Sequence, residues 1–250
     1  MLRCGWGGPR ELASPGSSLP RDGGARYIGG MSGTILYIGN KRYSSWSMRG
    51  WLACRLAGLA FEEVTIPLDL AETQARIRAV SPSGRVPCLH HAGNVVWDSM
   101  AIAEYCAELA PGLWPADRAA RAHARVVAAE MHSGFVELRR AMYFNLGRSL
   151  AGQGRTPAAL ADIARISALW AGTRARFGAG GPFLFGAAFT IADAFYAPIA
   201  CRFMTWEPEL DAGARAYVEA VLRHPLVEEW VAGGVAEPWR SPRYEETPAT

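Results

Sequence analysis

An α/β domain followed by an all-α domain is the fold class that this 250-residue sequence predicts. Three observations carry it. Between Thr34 and Ala110, short apolar or β-branched runs alternate with segments of helical period. A connection with two prolines, "PGLWPADRAA" at 111–120, then interrupts the pattern. Beyond it every periodic segment reads as helix.

The elements follow in order. "TILYIG", Thr34–Gly39, is a short buried strand. Ser47–Gly58 has an apolar stripe at Met48, Trp51, Leu52 and Leu56, with Gly58 as the stop, so a helix is predicted there. "FEEVTI", 61–66, is a second strand, and Ala71–Val80 a modest helix ended before "SPSG". Val86–His91 and Asn94–Trp97 are strands around "HAGN", a hairpin signal. Ser99–Ala110 is a helix closed by Pro111-Gly112. The order is β-α-β-α-β-β-α, with the first two strands parallel across a helix and the last two antiparallel. In the second part, Arg118 to about Leu146 reads as one long helix, followed by helices at 158–177, 190–203, 211–223 and 225–232, and an irregular tail "PWRSPRYEETPAT". The expected organisation is a disordered tail at 1–32, an α/β domain at 33–112 and a helical domain at 118–240.

Residues 1–32 are rich in Gly, Pro and Ser and lack both apolar periodicity and the apolar core of a secretory signal. Met31 opens "MSGTILYIG", a natural start for the folded part, so the upstream segment is a candidate extended gene start, which mass spectrometry of native protein would settle. The chain is about half apolar and one fifth charged, with 26 basic and 23 acidic residues and no basic run. Nucleic acid is therefore not indicated, and no apolar window is long enough for a membrane span. The five cysteines, Cys4, Cys54, Cys88, Cys106 and Cys201, form no CxxC pair. They read as reduced, mostly buried thiols of a cytoplasmic protein. His90, His91, His123, His132 and His224 make no metal-ligand spacing, so no metal is expected.

Four local signals bear on chemistry. In "SPSGRVPCL", 81–89, Pro87 marks a strand start, since it cannot donate to a ladder. Locally it reads as an ordinary trans proline. A cis bond would turn the Val86 N–H and C=O outward, where an extended peptide can pair with them. In "WDSMAIAEY", 97–105, Asp98 and Ser99 stand at a helix start. They read as caps, yet the same helix end attracts an anion and Asp98 an ammonium, which together suit an α-amino acid head group. In "FTIADAF", 189–195, Thr190 and Asp193 form a structural capping box with no chemistry. The fourth is "NKRYSSWSMRGWLACRLAG", 40–58, with Ser44, Ser45 and Ser47 before a helix. One of them caps it. No Ser/His/Asp arrangement accompanies them, which counts against a serine hydrolase. A hydroxyl there, next to a helix N-terminus, can instead donate to a bound thiolate.

In order and spacing, "YSSWSMRGWL", "SPSGRVPCL", "WDSMAIAEY" and "GPFLFGAAFTIADAFYAPI" resemble the cytosolic glutathione transferases over about residues 33–235. The first stretch is similar to the serine-type classes, zeta and theta, and "SSWSMR" to the zeta pattern "SSCSWR". The resemblance implies a thioredoxin-like first domain and a helical-bundle second domain. It implies a cis Val86-Pro87 peptide, with Val86 pairing to the cysteinyl part of glutathione. It implies Asp98 and Ser99 on the γ-glutamyl group, and Arg85 as a cation assisting the tripeptide. Matching Arg49 to the zeta arginine puts the activating hydroxyl at Ser44, while theta spacing puts it at Ser45. Ser44 is the first choice, with Ser47 left as the cap. Trp46 replaces the zeta cysteine, which weakens any claim to maleylacetoacetate isomerase activity, and with no cysteine in the turn mixed-disulfide chemistry is not expected.

The implied function is a glutathione S-transferase. A serine hydroxyl holds the thiolate of glutathione, taken as co-substrate, for attack on a small electrophile in a homodimeric, detoxifying enzyme. "MHSGFVELRRAMYFNLGR", 131–148, is the expected electrophile wall. Phe135, Leu138 and Met142 are read as core, and Arg139, Arg140 and Asn145 as favouring a polar or anionic substrate. The alternatives are a non-catalytic protein binding glutathione or hydrophobic ligands, and a glutathione-dependent peroxidase.

Overall fold

Four short strands, the two central ones burying Leu36, Ile38, Cys88 and Leu89, form in a computed structural model that describes residues 33–245. The expectations for residues 1–32, including Cys4, lie outside the described residues. β1 (Ile35–Ile38), β2 (Glu62–Thr65), β3 (Cys88–His91) and β4 (Asn94–Val96) order as β2-β1-β3-β4. β1 and β2 are parallel, with Ile35 opposite Glu62. A parallel pair needs a crossover, and α1 (Ser45–Leu56) supplies it. β3 runs antiparallel to β1, with Leu36 opposite Leu89, and β4 returns antiparallel to β3. The β3–β4 turn uses Ala92 and Gly93, both at positive φ, as a tight hairpin requires. α2 (Thr73–Val80) and α3 (Ser99–Leu109) complete the predicted thioredoxin-like order.

α1 is the pivot. Everything in it from Ser47 to Cys54 is buried, so it has no solvent stripe. It packs on α3 on one side and on α7 (Ile191–Trp206) of the helical half on the other. Gly50 permits the approach of the β3 loop: a Cβ there would lie 2.9 Å from Pro87 Cγ.

The helical half adds α4 (Arg118–Ser133), α5 (Val136–Ala141), α6 (Pro157–Phe177), α8 (Ala212–Leu222), α9 (Pro225–Ala236) and a single turn, α10 (Pro242–Glu245). Two expectations are corrected. The predicted helix from Arg118 to Leu146 is broken at Gly134, where a Cβ would meet the Glu130 carbonyl at 2.7 Å, and Phe135 adopts a left-handed conformation. The apolar period persists through the break because Phe135, Leu138 and Met142 still enter the core. The carbonyls left free where α5 ends are met from α7. Arg202 Nε donates to Met142 O (2.9 Å), Trp206 Nε1 to Tyr143 O (2.9 Å) and Thr205 Oγ1 to Asn145 O (3.0 Å). The tail expected to be irregular also differs, for it forms α10 and is tied back to the α/β half. Glu237 accepts the Lys41 and Arg42 N–H groups at 2.7 and 3.1 Å, and Tyr43 O–H donates to Glu245 Oε1 at 2.5 Å.

The Thr190/Asp193 capping box is present and reaches further than a cap. The fully buried Asp193 carboxylate accepts the Thr190 N–H and hydroxyl (both 2.9 Å), the Leu184 N–H (3.0 Å) and the Tyr217 hydroxyl (3.0 Å). Burial pushes its pKa up, and these donors pull it partly back. Asp193→Ala strands four buried donors. It is expected to lower unfolding free energy by roughly 4 kcal/mol in urea titration, whereas a loss under about 1 kcal/mol would contradict this network.

Candidate functional site

Two helix N-termini and one loop meet at a cavity of about 990 Å³. Ser44, Arg85, Val86, Pro87, Asp98 and Ser99 all line it, together with Trp46, Leu68, His132 and Tyr244, among others. Ser45 is buried beside it and is not part of the lining.

Ser44, not Ser47, is the N-cap of α1, which begins two residues earlier than its apolar stripe indicates. Ser44 Oγ accepts the Ser47 N–H at 3.2 Å and donates to Ser47 Oγ at 2.8 Å. Ser47 Oγ is fully buried and accepts the Gly39 N–H at 2.9 Å, so it ties the helix start to the end of β1. Ser45 Oγ accepts from Arg202 Nη2 at 3.3 Å. The first N–H groups of a helix have no intrahelical acceptor, and the dipole is positive there.

The Val86-Pro87 peptide is cis, as the resemblance implies. Gly84, at φ +64°, turns the chain into this loop, and its carbonyl accepts from Gln74 Nε2 at 3.0 Å. Asp98 caps α3: its Oδ1 accepts the N–H of Met100 at 2.8 Å and of Ala101 at 3.3 Å. Its Oδ2 lies 3.1 Å from His132 Nε2, on α4. Ser99 is fully buried, and its hydroxyl has no partner among the described residues. A buried hydroxyl without a partner is costly in an unliganded protein and fits a polar ligand at this helix end.

Trp46 links the two halves of the site. Its ring is edge-on to His132, with centroids 5.1 Å apart, and carries the Arg49 and Arg139 guanidiniums at 4.8 and 5.5 Å. Burial, then the repulsion of Arg202 and of Arg139, pushes the Arg49 pKa down to about 9, so it remains charged at neutral pH. Positive charge is thus stored behind the N-terminus of α1. Burial also pushes the His132 pKa down, against the opposing pull of Asp98.

The expected electrophile wall is only partly realised. Of residues 131–148, His132 lines the cavity. Phe135, Leu138 and Met142 are core. Arg139 lies behind Trp46, Arg140 pairs with Glu137 at 2.7 Å, and Asn145 donates to the Tyr244 carbonyl at 2.8 Å, so none of these three lines it. Phe144 is also buried in the core, as the break at Gly134 redirects the chain. Sequence reasoning missed Trp46, Arg243 and Tyr244 as lining residues and did not single out His132 within the stretch expected to form the wall. Trp46 sat in the serine motif and was readable; His132 and the tail residues arrive through tertiary packing and left no local signal. Among the described residues no group of His, Cys, Asp and Glu is arranged to hold a metal ion.

Residues 43–109 match the family model "Glutathione S-transferase, N-terminal domain". The chain is 32% identical over 106 residues to a probable maleylacetoacetate isomerase of Caenorhabditis elegans, a match spanning 42% of this chain and 49% of that relative, so only about half of the relative's length is covered. It superposes with TM-score 0.62 and 26% identity on a glutathione transferase homologue from Burkholderia GL BGR1 with bound glutathione, covering 81% of this chain and 98% of that one. A theta-class glutathione S-transferase of Xanthomonas axonopodis pv. citri, also with glutathione bound, shares the fold at TM-score 0.60 and 23% identity, over 80% and 98% of the two chains.

The lowered His132 pKa has a consequence for stability. Below about pH 6.5 the unfolded chain takes up the imidazole proton before the folded one does. The contribution of neutral His132 is therefore complete above that pH and is lost as pH falls through the lower folded pKa. His132→Gln is expected to show a smaller fall in Tm between about pH 7 and about pH 5 than the parent chain. An equal fall would contradict the burial of a neutral ring.

Proposed function

We propose that this chain, whose residues 43–109 match the family model "Glutathione S-transferase, N-terminal domain", is a glutathione transferase with a serine-held thiolate. The observation that carries the reading is the convergence of Ser44, Val86, Pro87, Asp98 and Ser99 on one cavity, from three separate elements. Asp98 and Ser99 bind the γ-glutamyl end: Oδ2 of Asp98 takes the ammonium, and the unpartnered Ser99 hydroxyl, with the N-terminus of α3, takes the carboxylate. The backbone of Val86 pairs with the cysteinyl unit as an added strand would. Arg85 assists the tripeptide from the same loop.

Ser44 is the better candidate for the thiolate donor because it lines the cavity and Ser45 does not. Its proton now points to Ser47 Oγ at 2.8 Å. Rotation about the Cβ–Oγ bond redirects it to a sulfur anion without moving a heavy atom. A hydrogen bond to an anion is about twice as strong as the neutral one given up. The α1 N-terminus and the charge of Arg49 favour the same ionised form. The glutathione sulfur supplies the nucleophile, and the protein contributes ionisation and proximity to an electrophile beside Trp46. A homodimer in a reducing compartment belongs to this proposal.

Free thiols titrate near pH ~8.5. The absorbance of bound thiolate is expected to appear at least about one unit lower, and Ser44→Ala to abolish most of that shift and reduce kcat/KM about 10- to 100-fold with a halide or epoxide electrophile. If Ser45→Ala has that effect and Ser44→Ala has none, the donor is Ser45. Bound glutathione with an unshifted titration in every form would make the protein a binder instead.

A further inference from the structure

The chain's last described segment places Arg243 and Tyr244 on the cavity lining, and nothing in the sequence motifs accounts for it. Ser241 N–H donates to Tyr43 Oη at 3.2 Å, and the Ser241 hydroxyl bonds Asp69 in the β2–α2 loop. Asn145 Nδ2 donates to the Tyr244 carbonyl at 2.8 Å, and the Tyr244 ring stacks on Tyr43 at 5.3 Å and 17°. Tyr43 itself precedes Ser44, and its hydroxyl donates to Glu245 Oε1. Burial and then that carboxylate push the Tyr43 pKa up to about 12, so the donor is protonated at any working pH. Arg243 thus lies between the anchored residues Ser241 and Tyr244, and it is on the cavity lining. Among the described residues it makes no ion pair, and its only aromatic partner is the adjacent Tyr244.

The ligand's chemistry leaves one charge unassigned. An extended tripeptide spans about 3.5 Å per residue. With its α-amino acid end at the N-terminus of α3 and its sulfur at Ser44, the glycyl carboxylate must lie beyond Ser44, away from Asp98. His132, on the Asp98 side, lies 3.1 Å from the Asp98 carboxylate and is a neutral ring pushed down in pKa by burial, so it supplies no free charge. Next to Ser44, Tyr43 stacks on Tyr244, the neighbour of the lining residue Arg243, and the loop of Leu68, also on the lining, is bonded to Ser241 through Asp69. We infer that Arg243 binds the glycyl carboxylate, so that the C-terminal segment is a specificity-determining part of the glutathione site and not merely its cover. The inference rests on the reading of this cavity as the glutathione site.

The test compares glutathione with its glycyl amide, an uncharged ligand of nearly the same shape, by calorimetric titration of the whole chain. The parent is expected to prefer the free acid by about three- to tenfold, the range of one charge-assisted contact at a partly exposed site. Arg243→Gln should weaken glutathione by that factor, leave the amide within about twofold, and so erase the preference; Arg243→Lys should restore part of it. Equal weakening of both ligands would overturn the inference by making the segment a structural cover, and so would a parent with no preference, a result that needs no variant. A parent that binds neither ligand overturns the glutathione reading and this inference together, whereas a parent that binds both equally well overturns the inference alone.

Discussion

Burial of α1 is the constraint on which the other features depend. A helix normally keeps one face in water, but this one lies between the sheet and α3 on one side and α7 on the other. Its side chains cannot relax independently of either half. Trp51 and Leu52 alone, fully removed from water, contribute on the order of 3–6 kcal/mol together. The N-terminus of the same helix is the floor of the cavity. Its position relative to Pro87 is set by the absence of a side chain at Gly50, and its position relative to β1 by the Gly39–Ser47 hydrogen bond. Packing energy and site geometry are therefore carried by one element.

Polar groups then fix what the apolar core leaves loose. α7 is buried along nearly its whole length, and its polar side chains look outward from a dry environment to backbone that has no other partner. Asp193 ties the loop before α7 to α8, while Arg202 ties the stretch after α5 to Ser45. Glu237 does the same for the turn at Lys41 and Arg42. Unmade, each bond would leave a buried group unsatisfied, at a cost of about 1–3 kcal/mol. The result is that a turn, a helix start and a chain end far apart in sequence are held in register around one cavity.

The α/β order was legible because each of its signals is local. β-branched runs, a Gly-ended helix, "HAGN" and the Asp98-Ser99 start state their own geometry within a few residues. The residues that line the cavity from those elements were legible for the same reason. The break at Gly134 was not, since the apolar period runs through it and only the backbone changes. The choice of cap among Ser44, Ser45 and Ser47 failed because the apolar stripe of α1 starts later than its hydrogen bonds do. His132, Arg243 and Tyr244 were illegible in principle: each reaches the cavity through a fold-level contact with a partner some 30 to 200 residues away, namely Asp98 for His132 and Tyr43 for the chain end. Their own neighbours in sequence carry no mark of it.

The central claim is that Ser44, at the start of the buried helix, is the group that meets the sulfur. A crystal structure of the full chain grown with glutathione tests it most directly. The account predicts the sulfur within about 3.5 Å of Ser44 Oγ, with the γ-glutamyl group on Asp98 and Ser99. A sulfur more than about 4 Å from Ser44 Oγ, with the Ser44–Ser47 hydroxyl bond intact, would contradict it and leave Ser44 as a helix cap alone.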